Sequence, residues 1–115
     1  TEFRVEGEGR LPAEVEEGLY RIAVEALNNA LRHAQARRIT ISVRFTPEAA
    51  SLEVADDGVG FDPAAIRKHG GLGLPGMAER AEQLGGTLTV ASRPGSGTRV
   101  TAIAPGQLAH KEVSP

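Results

Sequence analysis

Hydrophobic positions recur along this chain with two different periods. Between Ala13 and His33, the residues Val15, Leu19, Ile22, Ala26 and Ala30 fall three or four apart, and Ala23 and Leu27 widen the stripe. That is the period of a helix with one apolar face, and Pro12 suits its start. Residues 38–45 alternate instead. Ile39, Ile41, Val43 and Phe45 fall on one side, and Arg38, Thr40, Ser42 and Arg44 on the other. Such alternation predicts a half-buried strand with one polar face. Thr46-Pro47-Glu48 turns the chain into a second strand, Ser51 to Asp56, through Leu52 and Val54. So short a link predicts an antiparallel hairpin. Residues 2–6 alternate weakly as a further strand, broken by Gly7 and Gly9. Residues 77–84 predict a short helix closed by Gly85-Gly86. Thr87 to Ser92 and Thr98 to Ala104 read as two more strands, joined by the turn Arg93-Pro94-Gly95-Ser96-Gly97.

Residues 57–76 obey neither period. Gly58, Gly60, Gly70, Gly71, Gly73 and Gly76 fall here with Pro63 and Pro75, and Pro63 to Lys68 suit at most a helical turn or two. Long glycine-rich segments within compact domains are usually functional or mobile. A mobile lid is therefore expected over Gly70 to Leu74 and the residues just before. Strand, helix, hairpin, glycine-rich loop, helix and hairpin together predict an α+β fold. It is a two-layer sandwich, with a mostly antiparallel sheet covered on one face by helices.

Composition narrows this picture. A chain of 115 residues is one domain, large enough for a core without staples. Residues 1–105 are expected to form it, and 106–115 a disordered tail. Aromatics are 3%, so the core must come from Val, Leu, Ile and Ala. There are no cysteines, which excludes disulfides and thiolate metal sites. The net charge of −2 and the lack of a basic run argue against direct nucleic-acid binding. No apolar run approaches the ~18–20 residues that would span a bilayer. The chain opens directly into a strand-like segment without Met, as a piece of a longer protein would.

Several residue groups carry candidate chemistry. Glu25 and Asn29 are four apart on the first helix, at the edge of its apolar stripe. An amide oxygen suits Mg²⁺, and a neighbouring carboxylate can orient or deprotonate a nucleophile. Arg32, one turn beyond, is within reach of a phosphate. Asp56-Asp57-Gly58-Val59-Gly60 closes the third strand. A buried Asp there can accept from an exocyclic amine, and the glycines permit close backbone approach. Gly70-Gly71-Leu72-Gly73-Leu74-Pro75-Gly76 leads into a helix, whose free N–H groups favour phosphate. Residues 71–76 also match G-x-G-x-x-G, but no strand precedes them, so a dinucleotide-binding βαβ unit is rejected. Thr98, after Gly95-Ser96-Gly97, can hydrogen-bond a base. Each signal alone has an ordinary reading: a polar helix flank, an Asp-Gly turn, a hairpin.

Their joint order is more specific. Glu-x-x-x-Asn on a helix, Asp-Asp-Gly-x-Gly after a strand, a glycine loop before a helix and Gly-Thr before a strand resemble the ATPase superfamily of DNA gyrase, heat-shock chaperones, MutL and histidine kinases. The spellings LYRIAVEALNNALRHA (19–34), ADDGVGFD (55–62), GGLGLPGMAERAEQLGG (70–86) and GSGTRVTAIAP (95–105) are similar to the catalytic domain of NarL/DegS-type sensor histidine kinases. The resemblance covers Leu11 to Pro105. It implies the Bergerat ATP-binding fold, with ATP and Mg²⁺ as ligands. It implies Asn29 as the Mg²⁺ residue and Glu25 as the catalytic residue acting on the nucleophile. Arg32 would face phosphate, and Asp57, flanked by Gly58 and Gly60, would specify adenine. Gly71, Leu72, Gly73 and Leu74 would lie near the phosphates, and Thr98 beside the base. His33, His69 and His110 lie in no acceptor helix. The implied partners are therefore a separate helical dimerisation and phosphoacceptor domain and, through it, a NarL/LuxR-type response regulator. The piece itself is expected to be monomeric and cytoplasmic, whether or not its parent is membrane-anchored. Two alternatives stand beside this: a serine kinase of the anti-sigma-factor type, and a non-catalytic nucleotide-binding module.

Overall fold

The computed structural model describes residues 1–33, 35–62 and 73–105. Five strands form one sheet: β1 (Glu2–Glu6), β2 (Ile39–Phe45), β3 (Ala50–Asp56), β4 (Thr87–Ser92) and β5 (Thr98–Ala104). The spatial order is β1-β2-β3-β5-β4. β1 pairs with β2 in parallel, and the other neighbours are antiparallel. Helix α1 (Ala13–His33) packs against β3, β5 and β2, while α2 (Leu74–Gln83) packs against β4, β5 and α1. The architecture is the expected α+β sandwich.

Register explains the core. Ile41, Val54, Val100 and Val90 stand opposite one another across four strands, and Val43, Leu52, Ala102 and Leu88 form the next such row but one. Because side chains alternate between faces, both rows point to the helix side. The helix stripe meets them with Leu19, Ile22, Ala26 and Ala30, and Ile22 is completely buried. Truncating Ile22 to Ala would cost roughly 2–5 kcal/mol. Met77 and Ala81 close the core from α2. Among the described residues no polar or charged side chain is buried. None of their helices is long and apolar enough to cross a membrane.

Gly18 lies inside α1, where a glycine ordinarily costs about 1 kcal/mol relative to Ala. A Cβ there would lie 2.7 Å from Leu84 Cδ1, so packing of α2's end against α1 fixes the residue. The second helix begins at Leu74, three residues before the expected Met77. Gly73 precedes it in a left-handed conformation (φ 66°), and Pro75 sits in its first turn, where a missing N–H costs nothing. Gly70, Gly71, Leu72 and most of the expected lid, with His69 and the tail from residue 106, lie outside the described residues.

Candidate functional site

One cross-strand row at the end of the sheet differs from the rest. Ile39, Asp56, Thr98 and Ser92 stand opposite one another on β2, β3, β5 and β4. Asp56 is two residues beyond Val54, and Thr98 two before Val100, so both share the helix-facing side. The apolar rows thus end in three polar residues. Between them and α1 lies a cavity of about 220 Å³. Its walls are Ala26 and Ala30 of α1, Val54 and Val100 of the sheet, Phe61 and Leu74. Asn29, His33, Asp56 and Thr98 supply its polar groups, with Gly60 at one side. An apolar cleft with a few convergent polar groups is the usual form of a small-molecule site. Such sites commonly measure about 300–1,000 Å³, so this cavity is small, with room for about one ring system.

The loop after β3 is held by specific contacts. The Gly58 N–H donates to Asp56 Oδ1 (2.8 Å), folding the chain back at the strand's end. The Gly95 N–H donates to the Val59 carbonyl (2.6 Å), joining this loop to the β4–β5 turn. Gly60 (φ 67°) and Gly97 (φ 78°) occupy left-handed conformations. A Cβ on Gly60 would collide with the Arg93 carbonyl oxygen, and one on Gly97 with that of Asp56. Both positions therefore demand glycine twice over, by conformation and by space. Ser92 Oγ accepts from the Phe61 N–H (2.9 Å), donates to the Gly97 carbonyl (3.0 Å) and lies 2.8 Å from Thr98 Oγ1.

The structure shifts by one position the placement expected of Asp57. Asp57 does not line the cavity. Its Oδ1 accepts the backbone N–H groups of Arg37 (2.8 Å) and Arg38 (2.9 Å), tying the α1–β2 connection to the end of β3. Those two hydrogen bonds, Arg38's first, hold its carboxyl below the usual Asp range. Asp56 lines the cavity in its place. Sequence reading also passed over Phe61, Ser92 and His33 as site residues. Strand alternation would have singled out Asp56 and Ser92, since each continues the inward series of its strand.

The other expected residues divide into two groups. Asn29, Gly60, Leu74 and Thr98 meet at the cavity, with Gly58 beside Asp56. Glu25 and Gly73 meet elsewhere, in an open groove between α1 and the start of α2 that Tyr20, Val24, Gly76 and Arg80 also line. A Cβ on Gly73 would lie 2.5 Å from Glu25 Oε2, so this carboxylate borders the N-terminus of α2. Arg32 is exposed on the last turn of α1 and lines neither space. Gly71 and Leu72 are not among the described residues.

Residues 14–108 match the family described as histidine kinase-, DNA gyrase B- and HSP90-like ATPase. The chain belongs to that family. Among its histidine-kinase members, this ATPase-family chain is 40% identical over 98 residues to the signal transduction histidine-protein kinase/phosphatase DegS of Bacillus subtilis. That match covers 84% of the chain and 26% of DegS. A sensor-like histidine kinase of Chloroflexus aurantiacus is 38% identical over 101 residues, covering 84% of the chain and 17% of that protein. The chain thus spans about a quarter of DegS and about a sixth of the Chloroflexus protein. In solved structures, the histidine kinase domain of the Erythrobacter litoralis blue-light activated kinase superposes with a TM-score of 0.70 at 27% identity. The match covers 95% of this chain and 55% of that domain. The ATP-binding domain of PrrB from Mycobacterium tuberculosis gives a TM-score of 0.65 at 26% identity, covering 78% and 68%. By family and fold this is an ATPase domain of the kind found in histidine kinases.

Proposed function

We propose that the chain binds Mg·ATP with its base in the cavity, and offers the γ-phosphoryl group to a histidine on a separate helical dimerisation domain of the same kinase. The observation that carries the reading is the Asp56 carboxylate at the polar end of an apolar slot. An exocyclic amine would find an acceptor there, whereas the guanine carbonyl at the same ring position would face a negative charge. Ala26, Ala30, Val54 and Val100 offer flat apolar contact to the faces of a ring.

The cavity holds the base alone, so the phosphates extend past it. The start of α2 favours anions, because its first N–H groups have no partner within the helix. No group of three or more His, Cys, Asp or Glu could hold a metal among the described residues. Mg²⁺ in nucleotide sites usually takes one or two protein oxygens, with phosphates and water completing its shell. The half-buried Asn29 at the cavity wall fits such a donor, and the ion would neutralise phosphate charge. Glu25, beside the α2 N-terminus, is positioned to accept a proton from, or to orient, an incoming imidazole. Gly58 and Gly60 would flank the base and Gly73 the phosphates, and Arg32 would supply positive charge near α1's end. A NarL/LuxR-type response regulator would then take the phosphoryl group from the acceptor histidine.

The test is transfer from [γ-³²P]ATP. The chain alone should stay unlabelled, and adding the cognate dimerisation domain should yield a phosphohistidine, stable in alkali and lost in acid. Acid-stable labelling of a serine on a partner would replace this reading with a serine kinase. Labelling of His33 within the chain would overturn the division of roles.

A further inference from the structure

The Ser92 hydroxyl makes three hydrogen bonds but has one proton, and counting that proton determines what Thr98 shows to the cavity. Ser92 Oγ accepts from the Phe61 N–H at 2.9 Å, a group that can only donate. It lies 3.0 Å from the Gly97 carbonyl oxygen, a group that can only accept. The single Ser92 proton therefore goes to Gly97. The remaining contact, 2.8 Å to Thr98 Oγ1, needs a donor, which must be the Thr98 hydroxyl. Thr98 lines the cavity, and with its own proton directed to Ser92 its Oγ1 has only lone pairs to offer there. Asp56, the neighbour in the same cross-strand row, likewise presents acceptors.

We infer that Ser92 is a specificity-positioning residue: by fixing the direction of the Thr98 proton, it makes the end of the cavity accept-only and so excludes bases with a carbonyl where adenine has its amine. The inference rests on the reading of the cavity as a base site. Ser92 itself does not line that cavity. It acts through Thr98, and it also holds the Phe61 backbone and the Gly97 turn in place. Without it, the Thr98 hydroxyl is free to rotate and donate. A carbonyl acceptor at the ring position would then meet a donor, and discrimination would fall even if the cavity kept its shape.

ADP and IDP test this directly, because their purines differ at the amine or carbonyl and the adjoining ring nitrogen. Dissociation constants for both are measured by calorimetry on the wild-type chain, Ser92→Ala, Thr98→Ala and the double variant, with thermal melts to confirm folding. Ser92→Ala should lower the IDP/ADP ratio of dissociation constants by roughly three- to tenfold, the worth of one hydrogen bond reversed. In the Thr98→Ala background, the same substitution should leave the ratio unchanged. Ser92→Thr restores a hydroxyl and should restore the ratio. If Ser92→Ala weakens both nucleotides equally, Ser92 is merely structural and the inference fails while the base site stands. If the wild-type chain does not prefer ADP, the base-site reading fails and takes the inference with it.

Discussion

The cavity under α1 and the groove on α1's outer flank differ in how they are built. The cavity is a product of strand register. Asp56, Thr98 and Ser92 continue inward-facing series on three adjacent strands, and Gly60 and Gly97 clamp the loops above them. The groove is made of helix side chains, Glu25 among exposed Tyr20 and Val24. On the proposed reading, the base would be recognised within one domain by the sheet alone. Phosphoryl transfer needs water excluded from the reacting groups; on the proposed reading these would lie in the groove, which its described residues do not enclose.

The comparison breaks most visibly at Glu25. Glu25→Gln should reduce phosphotransfer to the acceptor domain by about 10²–10⁴-fold, read by radiolabel, while ADP affinity stays within about twofold of wild type. Equal losses of both would mean that groove and cavity are one site. Next in size is Asp56→Asn, which removes a charged acceptor and should weaken ADP binding roughly ten- to a hundredfold by calorimetry. Asp57→Asn should leave that affinity nearly unchanged. The reverse order would restore Asp57 as the base-reading carboxylate.

Stability effects come after these. Gly60→Ala places a methyl against the Arg93 carbonyl in a left-handed conformation. A loss of about 1–3 kcal/mol is expected, visible as a drop of roughly 5–15 °C in Tm. Gly76→Ala meets nothing within 4 Å and should not destabilise by the same route. The smallest effect is a pH dependence. Asp57 is held below the ordinary Asp value of about 3.9 by the Arg38 and Arg37 N–H groups. Its contribution is therefore present above that value and is lost as pH falls through the lower, folded-state value. The stability difference between wild type and Asp57→Asn should be greatest above pH ~4 and vanish in stronger acid. A difference that grew on acidification would contradict this assignment.

Much of this was legible in the sequence, for stated reasons. The 3.6-residue stripe of α1 and the alternation of β2 are strong because each buries one face, and a slipped register would expose it. The parallel pairing of β1 was not legible, since its alternation is weak and all five residues are exposed. The start of α2 was missed because Leu74-Pro75-Gly76 reads as loop unless Gly73 is known to be left-handed. The spelling Asp56-Asp57-Gly58 leaves two carboxylates side by side, and only the period of two, which puts Asp56 on the side of Val54, separates them. Ser92 continues the inward series Leu88, Val90 of β4, but that alternation alone does not reveal its role. Its importance follows from three partners that converge only when the β4–β5 hairpin pairs in register.

Because β1 runs parallel to β2, with Glu2 opposite Thr40, Thr1 lies at the same end of the sheet as Asp56 and Thr98. Neighbouring strands stand about 4.8 Å apart, so β1 is roughly 10 Å sideways from β3. A segment joined ahead of Thr1 would leave the domain beside the proposed base cavity, not behind it. Such a tether confines its cargo to a small volume around the site, where even short flexible links give millimolar effective concentrations.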